Sequence, residues 1–134
     1  MKIMREIITD YRILSSDNAL KYLKEFVDED REYLVVLGLN TKNQPVYREI
    51  IAIGTLNSCI LHPREVFKKA IMMSCKSIIM AHNHPSGCSK SSIEDQDIYE
   101  QLSKGGDILG IKLIDSIIIT KNGYYSKQME GDEW

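Results

Sequence analysis

The sequence predicts an α/β (α+β) fold in which helices flank a mixed β-sheet. Short apolar runs rich in β-branched residues alternate with segments whose apolar residues recur at helical spacing. Pairs of expected strands are also joined by short turns, as in hairpins. The chain has 134 residues, of which 43% are hydrophobic, so it can build one packed core. We therefore expect a single domain over residues 1–134.

The first half of the chain predicts a helix followed by a hairpin. Residues 15–17 can cap the helix. Its apolar positions recur at helical spacing and are Leu20, Leu23, Phe26 and Val27. Residues 33–39 form an apolar run of strand length, residues 40–44 a turn, and residues 45–54 the returning strand. This half therefore supplies two neighbouring antiparallel strands.

The second half predicts two helices on either side of a buried strand. Pro63 suits the first position of a helix, where the missing amide hydrogen would be unpaired in any case. Residues 77–81 have the composition of a buried strand. A further helix begins near Ser92, and the pair Gly105-Gly106 is expected to end it because glycine is unfavourable inside helices.

A second hairpin is expected near the C-terminus. Residues 111–120 and residues 124–125 have the composition of strands, and Lys121-Asn122-Gly123 connects them. The Asn-Gly pair favours a tight turn of the type that joins two antiparallel strands. These strands complete the mixed sheet that the alternation of elements predicts.

Charge and cysteine content exclude several classes of protein. The net charge is −2 and the isoelectric point is near 5.9, unlike a domain held to nucleic acid by bulk positive charge. Cys59, Cys75 and Cys88 lack the spacing of a disulfide framework and fit a reducing compartment. The charged N-terminus lacks the apolar stretch of a signal peptide, and no apolar run approaches the roughly 18 residues of a membrane span. We expect a cytoplasmic protein with no membrane association.

The segment from residue 82 to residue 95 concentrates the side chains that can bind a metal. His82 and His84 are two positions apart in extended backbone, so both imidazoles point to the same face. Pro85 and Gly87 force a turn, after which Asp95 arrives on the first turn of the next helix. Two nitrogens, one carboxylate oxygen and one water form the tetrahedral set of hydrolytic zinc, whose water has a pKa near roughly 7. The sequence therefore predicts one Zn²⁺ per chain at His82, His84 and Asp95.

Simpler roles for the same residues stay open from the sequence alone. Ser92 and Asp95 nearly form a capping box, so both side chains can serve the helix N-terminus only. Cys88 can close the coordination shell of a structural zinc, although zinc-binding cysteines usually come in pairs. Asn83 points away from its histidine neighbours if the strand continues, and can hold the adjoining loop through backbone hydrogen bonds.

The spacing of these residues resembles a known motif. His82-x-His84, seven residues and Ser92-x-x-Asp95 match the JAMM signature, H-x-H-x(7)-S-x-x-D, of the JAB/MPN metalloprotease domains. More narrowly, residues 54–57, 62–70 and 81–87 are similar to the RadC branch, a family labelled as DNA repair proteins. The similarity covers about residues 12–130 and implies the JAB/MPN architecture, which is cytidine deaminase-like.

The resemblance also implies an activity and roles for individual residues. It implies a zinc-dependent metallohydrolase of the metallopeptidase type, with a peptide or an isopeptide as the substrate class. A glutamate at the start of the first core strand would act as general base on the water, and Glu32 occupies that position. Glu49, in the returning strand, is the alternative. Ser92 would stabilise the oxyanion of the tetrahedral intermediate.

Two other functions compete with hydrolysis. One is a non-catalytic accessory role in DNA repair or mobile-element maintenance, in which the protein binds DNA or a protein partner. RadC proteins commonly carry an N-terminal helix-hairpin-helix region, for which we expect no room in 134 residues, and this weakens the DNA-binding version. The other is a metal-dependent nuclease, but such sites often pair two ions through several carboxylates. The sequence predicts no particular oligomeric state.

Overall fold

The sheet at the centre of the molecule has six strands in the residues that the structure describes. The structure is a computed structural model and describes residues 4–27, 29–54, 61–88 and 90–128. The strands are β1 (Met4–Glu6), β2 (Tyr33–Leu39), β3 (Pro45–Ile53), β4 (Ser77–Asn83), β5 (Lys112–Thr120) and β6 (Gly123–Ser126). The helices are α1 (Ser16–Leu20), a 3₁₀ turn (Lys24–Phe26), α2 (Pro63–Met72) and α3 (Ile93–Leu109).

The sheet is mixed, which confirms the fold class predicted from the sequence. Its strand order is β1-β3-β2-β4-β5-β6. Only β4 and β5 run parallel, and all other described neighbours are antiparallel. Two parallel strands need a long crossover between them, and α3 provides it. Both expected hairpins are present, as β2–β3 and β5–β6.

Helices cover both faces of the central strands. Val35, Leu37 and Leu39 pack towards α1 and the 3₁₀ turn, whereas Leu34 and Val36 pack towards α2 and α3. Because β2 and β4 are buried on both faces, their sequences are continuous apolar runs rather than alternating ones. No helix among the described residues is both long and apolar enough to span a membrane.

The prediction that Gly105-Gly106 ends the third helix is wrong. Helix α3 continues through both glycines to Leu109 and ends at Gly110, which has a left-handed backbone with φ of 75°. A Cβ atom on Gly106 would lie 2.3 Å from the carbonyl oxygen of Ile111 and 3.2 Å from the Phe67 ring. The glycines therefore permit close packing of α3 on α2 and on the chain that enters β5.

The first helix is shorter than the sequence predicts. Helix α1 ends at Leu20, and Phe26 bonds to the Leu23 carbonyl in a 3₁₀ turn instead of continuing the helix. The Tyr22 carbonyl, which an α-helix would pair with the Phe26 amide, accepts a hydrogen bond from Arg48 at 3.3 Å. The Arg48 guanidinium also lies 5.0 Å from the Phe26 ring. The Arg48 side chain of β3 thus takes the Tyr22 carbonyl, which a continued helix would need for the Phe26 amide.

Two further differences concern the sheet. Strand β1 was not predicted, because three residues carry too little periodicity to be recognised. It pairs with β3, with Met4 opposite Glu49. Strand β4 continues two residues beyond the predicted end and reaches Asn83. Residues 55–57 of the matched motif and Cys59 lie outside the described residues.

Candidate metal centre

Two histidines lie side by side at the end of β4. His82 pairs with Leu34 of β2 and Ile118 of β5, and only 3% of it is exposed. His84 follows the strand, but its amide still donates to the Ile119 carbonyl at 3.0 Å, which keeps the backbone extended. The Nε2 atoms of the two rings are 2.9 Å apart. Both imidazoles therefore point to one spot on the side of the sheet that α3 covers.

Asp95 reaches this spot from the first turn of α3. Ser92 caps the helix: its Oγ accepts from the Asp95 amide at 3.1 Å, and Asp95 Oδ2 accepts from the Ser92 amide at 2.8 Å. The same carboxylate lies 3.0 Å from His82 Nε2 through Oδ1 and 3.4 Å from His84 Nε2 through Oδ2. The capping role and the metal-binding geometry therefore coexist in one side chain.

The spacing of the three groups fits a metal ion. Tetrahedral zinc, with bonds of roughly 2.0–2.1 Å, separates its ligand atoms by about 3.4 Å. The separations of 2.9, 3.0 and 3.4 Å between the two Nε2 atoms and the carboxylate oxygens are close to this value. Imidazole nitrogen and carboxylate oxygen are both ligands that zinc accepts. His82, His84 and Asp95 could therefore bind one metal ion.

A backbone carbonyl sets the tautomer of His84. Its Nδ1 lies 2.8 Å from the carbonyl oxygen of Cys88, which can only accept a hydrogen bond, so Nδ1 carries the proton. Nε2 then presents its lone pair to the site, as metal binding requires. The loop that follows β4 is held by Asn122, which lies between β5 and β6. Its Nδ2 donates to the Gly87 carbonyl at 3.2 Å.

The electrostatics of the site favour a cation at its centre. Burial opposes ionisation of Asp95, but the hydrogen bonds with His82 and His84 outweigh it and hold the pKa of this carboxyl well below its usual range. The hydrogen bond to Asp95 raises the pKa of His84, against the effect of burial. The carboxylate of Asp95 therefore stays ionised beside the two imidazoles, and its negative charge attracts a cation to this nearly buried point.

The structure places the two candidate glutamates differently. Glu32 immediately precedes β2, and its charge helps to raise the pKa of His84, after the larger effects of Asp95 and the Cys88 carbonyl. It lines a cavity of about 350 Å³ together with Gly54 and with Pro85, the residue that follows His84. The charge of Glu32 therefore acts on one of the two histidines.

Glu49 lies elsewhere on the sheet. It pairs with Val36, and the sheet order puts β2 between β3 and β4. Two strand spacings separate it sideways from β4, roughly 10 Å. Burial raises the pKa of Glu49, and the charges that act on it come from α2, through Lys69, Glu65 and Lys68. Of the two glutamates, Glu32 is the one whose charge acts on His84.

The remaining sequence alternatives can be compared with the same geometry. Among the described residues, the group able to hold a metal comprises His82, His84 and Asp95 and leaves out Cys88. Cys88 approaches His84 with its carbonyl oxygen, so a zinc site closed by its thiol finds no support in the structure. The role of Asn122 was missed, because 35 residues separate it from Gly87 and no local pattern signals the contact.

The fold and the site define a JAB-type α+β domain with a His-His-Asp group that could hold a metal. A family model, the RadC-like JAB domain, matches residues 13–132, and the chain belongs to that family. A UPF0758 protein of Chlorobium chlorochromatii is 42% identical over 121 residues, which cover 90% of this chain and 54% of the relative.

Other relatives carry the same name. A UPF0758 protein of Geobacillus sp. (strain WCH70) is 45% identical over 90% of this chain and 54% of its own length. One of Methanosarcina mazei is 48% identical over 78% of this chain and 45% of its own length. The chain spans about half the length of these curated relatives, whose names state no reaction.

Proposed function

We propose that this domain is a zinc-dependent metallohydrolase that cleaves a peptide or isopeptide bond. The convergence of His82, His84 and Asp95 is the observation that supports this proposal, together with the charge of Glu32 that acts on His84. When bound, zinc supplies a Lewis acid that makes water acidic enough to react near neutral pH. The remaining steps depend on residues of the chain.

Glu32 is the proposed general base. Its carboxylate, whose charge acts on His84, accepts a proton from the attacking water and passes it to the leaving nitrogen of the substrate. The adjoining cavity of about 350 Å³ leaves room for the substrate at this position.

Ser92 is the proposed stabiliser of the oxyanion. Its Oγ accepts the amide hydrogen of Asp95 at 3.1 Å, which orients the side chain without using the hydroxyl hydrogen. That hydrogen can be donated to the substrate oxygen as negative charge develops on it. Removing one such donor lowers kcat by roughly 10²–10³-fold in acyl-transfer enzymes.

The first test is the zinc content of the purified protein, measured by elemental mass spectrometry. We expect about one zinc per chain, and none in the double variant His82→Ala/His84→Ala. Absence of zinc in the unaltered protein, even after reconstitution, would reject the proposal. Retention of the protein on DNA at low salt, weakening steeply as salt rises, would then favour the accessory role.

The second test is hydrolysis of a library of linear peptides and lysine isopeptides by the zinc-loaded protein. Glu32→Gln is expected to keep its zinc and to lower kcat by roughly 10²–10⁴-fold. The matched variant Glu49→Gln, which changes the other candidate in the same way, is expected to retain its activity. The opposite result for the two variants would assign the base to Glu49.

A further inference from the structure

The segment that carries Glu32 is held by the side chain of one buried asparagine. Asn83 accepts a hydrogen bond from the Tyr33 amide through Oδ1 at 2.7 Å. Its Nδ2 donates to the Arg31 carbonyl at 2.8 Å. Only 1% of Asn83 is exposed, so these two hydrogen bonds are shielded from competing water. One carboxamide therefore binds the backbone on both sides of Glu32.

This arrangement fixes the backbone at Glu32 itself. The φ and ψ angles of a residue are set by the peptide planes before and after it. The Arg31 carbonyl belongs to the first plane and the Tyr33 amide to the second, and Asn83 holds both. A third hydrogen bond, from the Gly54 amide to the Glu32 carbonyl at 2.8 Å, also holds the second plane. The direction in which the Glu32 side chain leaves the backbone is thus determined.

Asn83 also connects this segment to the metal ligands. It lies between His82 and His84, and alternation along an extended chain sends its side chain to the opposite face of the sheet. The β2–β4 ladder ends with Leu34 opposite His82. The carboxamide of Asn83 binds the chain just past this pair, at the start of β2 and in the residues before it. The end of β4 and the residue after it thus carry both imidazoles and support the segment that contains Glu32.

We propose that Asn83 is a positioning residue that sets the place of Glu32 relative to the two histidines. It acts through the backbone of residues 31–33 and touches neither the metal nor the substrate. The inference rests on the proposed role of Glu32 as general base. Its distinctive consequence is that catalysis and the local order of residues 31–33 depend on the same side chain.

Asn83→Ala and Asn83→Asp separate the two hydrogen bonds. Alanine removes both of them. Aspartate retains an acceptor for the Tyr33 amide, but places a carboxylate oxygen against the Arg31 carbonyl, where a donor is required. Asn40 offers a matched control at the other end of β2, because its Oδ1 accepts the amides of Lys42 and Gln44 in a turn far from the histidines.

Amide hydrogen exchange of Tyr33 tests the contact without any substrate. In the zinc-loaded protein, we expect Asn83→Ala to accelerate exchange of this amide by about tenfold, as loss of a buried hydrogen bond predicts. Asn40→Ala should leave it unchanged, and both variants should keep their zinc. Unchanged Tyr33 exchange in folded Asn83→Ala would overturn the proposal.

Kinetics on the peptide that the library identifies as the best substrate test the consequence for catalysis. Asn83→Asp should lower kcat by about 10–100-fold with little change in KM. The double variant Glu32→Gln/Asn83→Asp should be no slower than Glu32→Gln alone, because Asn83 acts through Glu32. If the double variant instead shows the product of the two single losses in kcat, the positioning role of Asn83 is overturned, while Glu32 keeps its role as general base. Full activity of Glu32→Gln would instead reject Glu32 as the general base. The hydrogen bonds of Asn83 would then have no role in catalysis.

Discussion

Two buried aspartates, Asp95 and Asp115, lie in regions of the molecule with different chemistry. Asp95, 8% exposed, faces two imidazole nitrogens at the start of α3. Asp115, fully buried in β5, accepts the Ser126 hydroxyl at 2.5 Å and the amides of Ser116 at 2.8 Å and Gln128 at 3.0 Å. The second carboxyl is thus surrounded by hydrogen-bond donors instead of imidazole nitrogens.

The pKa values of the two carboxyls shift in opposite directions. Burial raises the pKa of Asp115, and its hydrogen bonds only partly oppose this effect. Burial acts in the same sense on Asp95, but the two histidines hold its pKa well below the usual range. Burial of an acid therefore does not by itself mark a functional site. What distinguishes Asp95 is that its neighbours are imidazoles that could bind a metal with it, whereas Asp115 anchors the chain that follows β6.

Substitution of the carboxylate by an amide should separate the two regions most strongly. Asp95→Asn keeps an oxygen that can accept the Ser92 amide, but it loses the negative charge that a cation requires. We expect zinc affinity to fall by more than about 100-fold, beyond the loss typical of residues that only support a ligand. Competition with a chromogenic chelator measures this, with Asp115→Asn as the control that keeps wild-type affinity. Equal losses in both variants would contradict the distinction.

Removal of the Asp115 side chain should have the largest effect on folding. Asp115→Ala removes an acceptor from the Ser126 hydroxyl and from the Ser116 and Gln128 amides, and an unsatisfied buried group costs roughly 1–3 kcal/mol. The loss is partly offset because the carboxyl no longer has to be buried. We expect the free energy of unfolding to fall by about 3 kcal/mol in urea titrations. The exposed Asp107→Ala should change it by less than about 0.5 kcal/mol. A loss of zinc from folded Asp115→Ala would show that the two regions are coupled.

Zinc should stabilise the protein only through the Asp95 region. At a free zinc concentration 100 times Kd, binding adds about 2.7 kcal/mol to the free energy of unfolding. At roughly 3 °C per kcal/mol for a domain of this size, Tm should rise by about 8 °C. Calorimetry with and without zinc should show this rise in the unaltered protein and in Asp115→Asn, but not in Asp95→Asn. A rise in Asp95→Asn would place the metal elsewhere.

The pH dependence of stability should show the smallest effect, and it concerns Asp115. Since its folded pKa is raised above the ordinary value of 3.8, the folded state binds this proton more tightly than the unfolded state. The resulting stabilisation is present below that ordinary value and is lost as pH rises through the raised pKa. Urea titrations from about pH 4 to pH 7 should therefore show stability falling relative to Asp115→Asn. A constant difference between the two proteins would contradict the raised pKa.

The group that could hold a metal was predictable from the sequence because its signal is local. His82, His84 and Asp95 fall within fourteen residues, and strand alternation, a turn and a helix cap suffice to bring them together. The position of Glu32 came from the family resemblance instead. Its hydrogen-bonded support from Asn83 spans 50 residues or more, so no spacing rule could name Arg31 and Tyr33 as the partners.

The errors in the predicted fold have the same origin in distant contacts. Glycine propensity favours an end of α3 at Gly105-Gly106, but packing against Phe67 and Ile111 overrides it. Helical spacing favours a helix through Phe26, but Arg48 takes an acceptor that the helix needs. Local sequence preference predicted these segments correctly only where no side chain from another helix or strand made contact with them.

The shared use of Ser92 and Asp95 as helix cap and metal-site residues has a consequence for descent within the family. On the proposed function, a relative that no longer binds a metal has no need of His82 and His84 as ligands, whereas Ser92 and Asp95 still begin α3. Sequence drift in such relatives should therefore change the histidines first and preserve the serine and the acid. An intact Ser-x-x-Asp without the two histidines would then record ancestry rather than metal binding.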